Sequence, residues 1–430
     1  MCHTPRRGLS DLRPEGSYDA RIVLTVAALR QDRPPWKATA RRVLLPLAVV
    51  FAVLATAGWM ARGDTPPPSA YTREHDAWSR DTLHGAPLPG PDRPAAEISA
   101  FFAGLTDAEA DTLALTYPLV VGNLAGAPLT LRYEANRVAL ADAAEAERER
   151  IAIGGFSPAG AHEAQRRLNR FETLASPDRQ ILAFDPSGRG KVAEVLGDLE
   201  SADRVALIVP GVDSDLLGFQ KTFGKYTAPV GMAQALYREE RDLEPDLNTA
   251  VIAWADYDAP TGIAMSAFTG DRAEAGADRL LTTLTGLPGE APVALLCHSY
   301  GSVVCGLAAD RLPARVTDIA VAGSPGMRAP DVTALGTGAR VWAMVAEDDW
   351  ISSVPHLEVG PLGHGADPAE PEFGARLLSA GDAEGHGGYF EPGAESLVNL
   401  ALVATGAVDD VRCAPGVSYC APSDPCAVLT

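Results

Sequence analysis

Ser299 is the residue of this 430-residue sequence whose setting most directly suggests chemistry. It lies in "VALLCHSYGSVVCG", residues 293–306, where an apolar run leads into a turn and then into a segment that can form a helix. Nucleophile elbows have this pattern, usually as G-x-S-x-G, with small flanking residues that let strand and helix approach closely. Here Cys297 and Gly301 occupy the two small positions. We therefore predict that Ser299 is a nucleophile; the alternative is a serine in an ordinary tight turn.

A base and an orienting acid must accompany Ser299, because a serine hydroxyl is a weak nucleophile near neutral pH. In the chain order Ser, acid, His, the acid follows the apolar run "VWAMVA". We predict Asp349 as this acid, with Asp348 as the alternative. We predict His386 as the base, because "EGHGGYFEP" immediately precedes a good closing helix; His364 is the alternative.

The oxyanion of an acyl-transfer reaction needs N–H donors close to the nucleophile. The N–H of Tyr300 comes with the elbow, and the loop "VPGVDSD" offers that of Val212, with Asp213 as the alternative. The chemistry runs through an acyl-Ser299 intermediate and needs no cofactor. No C-x-x-C pair or His/Cys cluster in the sequence suggests a metal site.

The elements that must position these residues are short apolar runs at 205–210, 250–255, 293–297, 316–323 and 341–346. Such runs are typical of strands buried on both faces, and the spacing between them leaves room for crossover helices. "RQILAFDPSGRGKVAEVLGD" predicts a preceding hairpin. The sequence therefore predicts an α/β fold, a mostly parallel sheet with helices on both faces, over residues 178–406. Ser299 follows the fifth of its seven strands.

Residues 96–176 carry apolar residues at three- and four-residue spacing, which predicts a helical region. Its stretches "FFAGL" and "LALTYPLVV" hold more apolar surface than a short helical hairpin can bury. We expect this region to pack against the α/β domain beside the mouth of the active site.

The N-terminal part of the chain carries a location signal. Residues 43–60 are 18 uncharged, mostly apolar residues preceded by basic ones, which predicts a membrane anchor with residues 1–42 in the cytoplasm and the catalytic domain outside. The alternative is a signal segment that is cleaved, so that the protein is secreted. Residues 61–95 are predicted as a Pro/Gly-rich linker. In the Cys-containing tail, 407–430, a loop could be closed between Cys413 and Cys420 in an oxidising compartment.

The charge of the chain limits its partners. A formal net charge of −20 and a pI near 4.8 argue against binding to nucleic acid or to an anionic membrane surface. We expect a small-molecule or lipid acyl substrate, and contact with the membrane through the N-terminal segment only. The sequence does not indicate an oligomeric state.

Several separated motifs occur in the order found in one known family: "YPLVVGNLAGAPLTLRYEANR", "VPGVDSD", "GMAQAL", "AWADYDAP", "LCHSYGS", "AGSPGM" and "EGHGGYF". Residues 98–406 thereby resemble the actinobacterial α/β-hydrolase family of unknown function, whose members pair an N-terminal helical region with a hydrolase core. The resemblance implies Ser299, Asp349 and His386 as a catalytic triad. The chain departs from the family pattern at Cys297 and at Asp256, where glycine is common.

Three functions are consistent with these residues. The first is an extracytoplasmic serine hydrolase that cleaves an ester, thioester or amide through an acyl-serine intermediate. The second is a cell-envelope acyltransferase, in which an alcohol or amine replaces water as acceptor. The third is a catalytically inactive, hydrolase-like surface binding module, which predicts that Asp349 and His386 lie far from Ser299.

Overall fold

The computed structural model describes residues 68–262, 267–359, 362–417 and Cys420. The predicted segments 1–42 and 43–60 lie outside the described residues. Within the described part, no helix combines the length and apolar character needed to cross a membrane.

Strands and helices are numbered along the chain. The strands are β1 Thr82–Leu83, β2 Ala86–Pro87, β3 Gln180–Asp185, β4 Lys191–Gly197, β5 Arg204–Val209, β6 Thr249–Ala255, β7 Val293–His298, β8 Val316–Ala322, β9 Arg340–Met344, β10 Glu358–Val359, β11 Leu362–Gly363 and β12 Arg376–Leu377. The helices are α1 Ala70–Trp78, α2 Ala95–Ala103, α3 Asp107–Thr116, α4 Pro118–Asn123, α5 Leu129–Ile153, α6 Pro158–Leu174, α7 Pro229–Leu243, α8 Asp271–Thr285, α9 Gly301–Ala308 and α10 Glu395–Thr405.

An eight-stranded sheet in the order β12-β9-β8-β7-β5-β6-β4-β3 forms the centre of the fold. The strands from β12 to β6 run parallel, and β4 and β3 join antiparallel at one edge. All seven predicted strands are present, so the predicted α/β fold with a mostly parallel sheet and helices on both faces is confirmed. The eighth strand, β12, was not predicted because two residues carry no periodic signal.

Apolar clusters cover both faces of this sheet, which explains why its strands are nearly continuous apolar runs. Helices α7 and α10 cover one face, where Leu236 and Leu400 are fully buried. Helices α8 and α9 cover the other face, where Leu280 and Val304 are fully buried. The strand ends that carry the site are therefore held by packing from both sides.

The helical region protects the free edge of the sheet at β3. The side chain of Asn123 donates to the carbonyl of Phe184 (2.7 Å) and accepts from its N–H (3.0 Å), as a neighbouring strand would. In α5, Asn136 donates to the carbonyl of Ile181 (2.8 Å) and Arg132 to that of Leu182 (2.8 Å). An exposed edge would be a template for association with other chains, and these side chains occupy it.

The helical region also shares apolar core with the sheet. The rings of Phe171 in α6 and Phe184 in β3 meet edge to face with centroids 5.7 Å apart, and both side chains are fully buried. Much of the "FFAGL" and "LALTYPLVV" surface is instead buried among the helices themselves, around Phe102 and Val121.

We expected the helical region to lie beside the mouth of the active site, and for most of this region the expectation was wrong. The helices pack at β3, and four inter-strand steps of about 4.8 Å put this edge about 19 Å from β7. One contact reaches further, because Arg170 of α6 donates to the carbonyl of Gln220 (2.6 Å) in the loop that follows β5. Packing at a particular sheet edge depends on tertiary contacts that hydrophobic periodicity does not encode.

The predicted linker at 61–95 is ordered structure from residue 68 onwards. Ser69 caps α1 by accepting from the N–H of Thr72 (3.0 Å), and Trp78 is fully buried with its indole N–H on the carbonyl of Pro89 (2.7 Å). The Pro and Gly content concealed this short capped helix, which Trp78 and a hydrogen bond from the Val120 N–H to Glu74 (2.7 Å) hold in place.

We predict that Phe171→Ala lowers the free energy of unfolding by about 3–5 kcal/mol, because it leaves a cavity between α6 and β3. Urea denaturation of the full chain measures this loss. Ile153→Ala, at a side chain 84% exposed near the end of α5, is the control and should change little. A midpoint for Phe171→Ala equal to that of the control would contradict a shared core.

Candidate active site

Ser299 occupies a sharp turn between β7 and α9. Its φ of +54° lies in the left-handed region, which is strained for a residue other than glycine. The turn is held because the N–H of Ser299 donates to the carbonyl of Ala322 (3.0 Å) at the end of β8. A Cβ at Gly301 would lie 2.1 Å from the carbonyl oxygen of Val209, so that position requires glycine. These features are those of a nucleophile elbow.

Cys297 forms a disulfide with Cys305, which sequence reasoning missed. The bond links the end of β7 to α9 across the turn that carries Ser299. Both cysteines are buried, with 2% and 0% of their surface exposed. The signal that was available is the pair of cysteines on either side of a predicted strand-turn-helix.

Ser299, His386 and Asp349 lie in a hydrogen-bonded row. The hydroxyl oxygen of Ser299 is 2.8 Å from Nε2 of His386. Nδ1 of the same imidazole is 2.9 Å from Oδ1 and 3.0 Å from Oδ2 of Asp349. With a carboxylate at Nδ1, the imidazole carries its proton there, so that Nε2 is free to accept the proton of the Ser299 hydroxyl.

The carboxylate of Asp349 is almost fully buried and accepts from three groups. Besides His386, the hydroxyl of Tyr389 donates to Oδ2 (2.6 Å) and the N–H of Ile351 donates to Oδ1 (2.9 Å). Burial alone would raise the pKa of Asp349, but these hydrogen bonds outweigh it and lower that pKa below its ordinary value. The residue is therefore an anion over the whole neutral range.

Tyr389 ties the acid to the loop that carries the base. Its hydroxyl also accepts from the N–H of Ala346 (2.9 Å) just after β9. Burial and the hydrogen bond to Asp349 raise the pKa of this phenol, which therefore stays a proton donor. Tyr389 was not predicted from the sequence, because a tyrosine three residues after a histidine has no diagnostic spacing.

The alternative acid and base have other partners. Asp348 is exposed and accepts from the N–H of Gly385 (2.7 Å), at the start of the 3-10 turn Gly385–Phe390. His364 has Nε2 2.7 Å from the carbonyl of Ala267, and its ring packs edge to face on Tyr300. The structure thus brings Asp349 and His386, not these alternatives, into the row with Ser299.

The loop after β5 lies against Ser299, as the oxyanion prediction requires. A Cβ at Gly211 would be 2.6 Å from Cβ of Ser299 and 3.2 Å from the backbone nitrogen of Tyr300. The N–H of Asp213 donates to the carbonyl of Pro260 (2.8 Å), so this alternative donor is already engaged. The N–H groups of Val212 and Tyr300 remain the predicted oxyanion donors.

His298 is a second imidazole in the site, buried and in contact with His386. Its Nε2 is 2.7 Å from the carbonyl oxygen of His386, and the two rings are 4.9 Å apart. Burial and the neighbouring His386 lower the pKa of His298 to about 4. Neutral His298 therefore donates from Nε2 and holds the backbone of the residue that faces Ser299.

Trp350 also packs on His386. Its ring centroid lies 4.8 Å from that of the imidazole, and 44% of its surface remains exposed. A partly exposed aromatic side chain therefore packs on the imidazole of His386. Within the described residues, no group of three or more His, Cys, Asp or Glu side chains is placed to hold a metal ion.

Residues 185–359 match a family model described as alpha/beta hydrolase. Uncharacterized proteins from two strains of Mycobacterium tuberculosis are 28% identical over 382 residues, which covers 74% of this chain. The chain spans 57% of the length of these curated relatives.

Solved structures show more distant likeness. A 2,6-dihydroxy-pseudo-oxynicotine hydrolase is 14% identical with a TM-score of 0.33, over 80% of this chain and 96% of its own. A serine hydrolase without a lid from Xanthomonas campestris is 16% identical with a TM-score of 0.30, over 54% of this chain and 94% of its own. Scores of this size transfer neither a site nor a substrate to this chain.

We predict that replacing both Cys297 and Cys305 by alanine lowers the free energy of unfolding by about 2–3 kcal/mol, since a short loop is no longer closed in the unfolded chain. Urea denaturation measures the loss. The variant for comparison replaces Cys413 and Cys420 by alanine instead, because their sequence separation of 7 is close to the separation of 8 at the elbow. Reductant added to the wild type during unfolding should remove both contributions. An unchanged midpoint for the elbow variant would contradict the prediction.

We predict a pH dependence of stability that comes from His298. Its pKa in the folded chain, about 4, lies below the ordinary 6.5. Between these values the unfolded chain takes up a proton that the folded chain does not, so stability falls as pH falls from 6.5 to 4, by up to about 3 kcal/mol. His298→Gln should flatten this slope in urea denaturation at several pH values. His162→Gln, on the exposed face of α6, should keep the wild-type slope; equal slopes in both variants would rule out this role for His298.

Proposed function

We propose that this chain acts as a serine hydrolase on an ester, thioester or amide, and the match of residues 185–359 to a family model described as alpha/beta hydrolase supports this class of reaction. The observation that carries this proposal is the 2.8 Å contact between Oγ of Ser299 and Nε2 of His386, whose other nitrogen lies on the buried carboxylate of Asp349. Nucleophile, base and orienting acid then each have the partner that their role requires.

In the first half-reaction, Oγ of Ser299 attacks the substrate carbonyl while Nε2 of His386 takes its proton. The negative charge that develops on the carbonyl oxygen is stabilised by the N–H groups of Tyr300 and Val212. The tetrahedral intermediate then expels the alcohol, thiol or amine, which receives the proton from His386. An acyl-Ser299 intermediate remains.

In the second half-reaction, His386 takes a proton from water, and the resulting hydroxide attacks the acyl carbon. Collapse of this second intermediate releases the carboxylic acid and returns the proton to Ser299. Asp349 stabilises the imidazolium that forms in each half-reaction without itself becoming protonated. Its lowered pKa supports this role.

The inactive binding module is the hypothesis that this geometry favours least. It predicts that Asp349 and His386 lie far from Ser299, whereas the three side chains lie within hydrogen-bonding distance. An acyltransferase would share the first half-reaction and differ only in the acceptor. Hydrolysis needs only water as acceptor, and so we propose hydrolysis.

We also propose that the catalytic domain works outside the cytoplasm, tethered by residues 43–60 or secreted after their cleavage. The disulfides Cys297–Cys305 and Cys413–Cys420 support this location. Disulfides persist in oxidising compartments and are rare in the cytosol.

We predict that a fluorophosphonate probe labels the full chain at Ser299 and that Ser299→Ala abolishes the labelling. Asp349→Asn should slow it by about ten-thousandfold, because the imidazole loses its orientation and tautomer. Asp348→Asn is the matched control, since the neighbouring carboxylate contacts Gly385 and not His386. Mass spectrometry of the labelled peptide and the labelling rate are the measurements. Labelling that survives Ser299→Ala, or equal rates for the two asparagine variants, would refute the proposed mechanism.

A further inference from the structure

The two ends of the segment 219–230, in the loop between β5 and α7, are firmly anchored. The N–H of Val230 donates to the carbonyl of Phe219 (3.1 Å), which closes the loop, and both side chains are buried. Arg170 of α6 donates to the carbonyl of Gln220 (2.6 Å), and Arg179 donates to the Gln220 side chain (3.0 Å). The residues that follow are therefore presented from a fixed support.

Residues 221–226 form the tip of this loop, and Phe223 projects from it. Phe219 is fully buried, but Phe223, four residues later, has 96% of its surface exposed. The turn beneath it is regular, since Gly224 has φ +60° and its carbonyl accepts from the N–H of Thr227 (3.1 Å). A fully exposed aromatic side chain on an ordered turn loses favourable burial unless another surface covers it.

Two lysines flank Phe223. The sequence contains only four lysines, and two of them, Lys221 and Lys225, lie in this tip. Lys221 is exposed, and the ammonium of Lys225 lies over the ring of Tyr226, 5.4 Å from its centroid. The whole chain, by contrast, has 56 Asp and Glu residues against 36 Lys and Arg residues. The tip is therefore a local positive and aromatic feature on an acidic protein.

The tip adjoins the turn that carries His386, the proposed catalytic base. The 3-10 turn Lys225–Thr227 packs on the turn Gly385–Phe390, and a Cβ at Gly387 would lie 2.8 Å from the methyl carbon of Thr227. His386 is in this second turn, and Trp350 with its exposed surface packs on its ring. The tip and the site thus lie at the same end of the sheet.

We propose that residues 221–226 dock on an anionic lipid bilayer, with Phe223 inserted at the interface and Lys221 and Lys225 at the headgroup phosphates. Charges further than a Debye length of about 10 Å are largely screened, so local charge decides such docking and net charge does not. Two lysines at an anionic surface strengthen docking by about thirtyfold in equilibrium constant.

Docking at this tip would bring the active site to the bilayer surface. It follows, if the proposed hydrolase function holds, that the substrate class is an acyl ester carried by the bilayer.

The test uses the full chain in vesicles whose lipids have brominated acyl chains, which quench tryptophan fluorescence at the membrane. Phe223→Trp adds one tryptophan to the six native ones, and Ile153→Trp adds it at another exposed apolar position as the control. Vesicles of phosphatidylcholine alone are compared with vesicles that also contain phosphatidylglycerol. Thermal melting confirms that each variant is folded.

We expect the added fluorescence of Phe223→Trp to be quenched in the anionic vesicles, and that of Ile153→Trp to be unaffected. Changing both lysines to glutamine in the Phe223→Trp chain should weaken docking by about thirtyfold and remove the quenching. Quenching of Phe223→Trp no greater than that of Ile153→Trp would overturn the proposal. This is also the result expected if the tip binds a protein and not a bilayer. Equal quenching in both vesicle types would overturn the role of anionic lipid. The quenching measurement does not depend on enzymatic activity. If Ser299 failed to react with a phosphonate, the proposed hydrolase function would be refuted, but the proposed membrane docking would not.

Discussion

The close approach of backbone at the elbow is the constraint on which the rest of the site depends. Gly301 lies so near the carbonyl of Val209 that any side chain would collide with it. This contact brings the start of α9 against the end of β5 and forces Ser299 into a left-handed conformation. The same approach brings Gly211 onto Ser299, so one packing contact positions both the proposed nucleophile and the loop that carries a proposed oxyanion donor. The elbow disulfide then holds strand and helix together across the strained residue.

The base and the acid come from two other loops, and hydrogen bonds between these loops keep them in line. Tyr389 and His386 belong to one turn, yet Tyr389 reaches the acid and the end of β9 while His386 reaches both acid and serine. His298 fixes the backbone of this turn from the strand that carries the nucleophile. Asp349 stays charged because these donors outweigh the cost of its burial. A shift of any one loop would therefore disturb the other two.

The sequence was sufficient for the fold class and for the residues that now lie in one row. Continuous apolar runs predict buried parallel strands, and the chain order of serine, acid and histidine predicts which loops must meet. It was insufficient where the information lies in three dimensions. Cys297 was interpreted as a small residue in place of glycine, and its bond to Cys305 depends on how strand and helix face each other. The contacts of Tyr389, His298 and Trp350 follow no spacing rule in the sequence. Helix α1 was missed because it is short, has one buried residue, Trp78, and lies in a Pro-rich stretch.

The helical region gains a role from these contacts that a spacer would not have. Its polar side chains hydrogen-bond to the backbone of β3, and Phe171 joins the core beside that strand, so the helices stabilise this sheet edge. From the same helix, Arg170 reaches the loop after β5 and holds the base of the tip that bears Phe223. That loop begins with the proposed oxyanion donor and ends beside the turn of His386. The support at the sheet edge therefore extends, through one arginine, to the segment on which both catalysis and surface contact would depend.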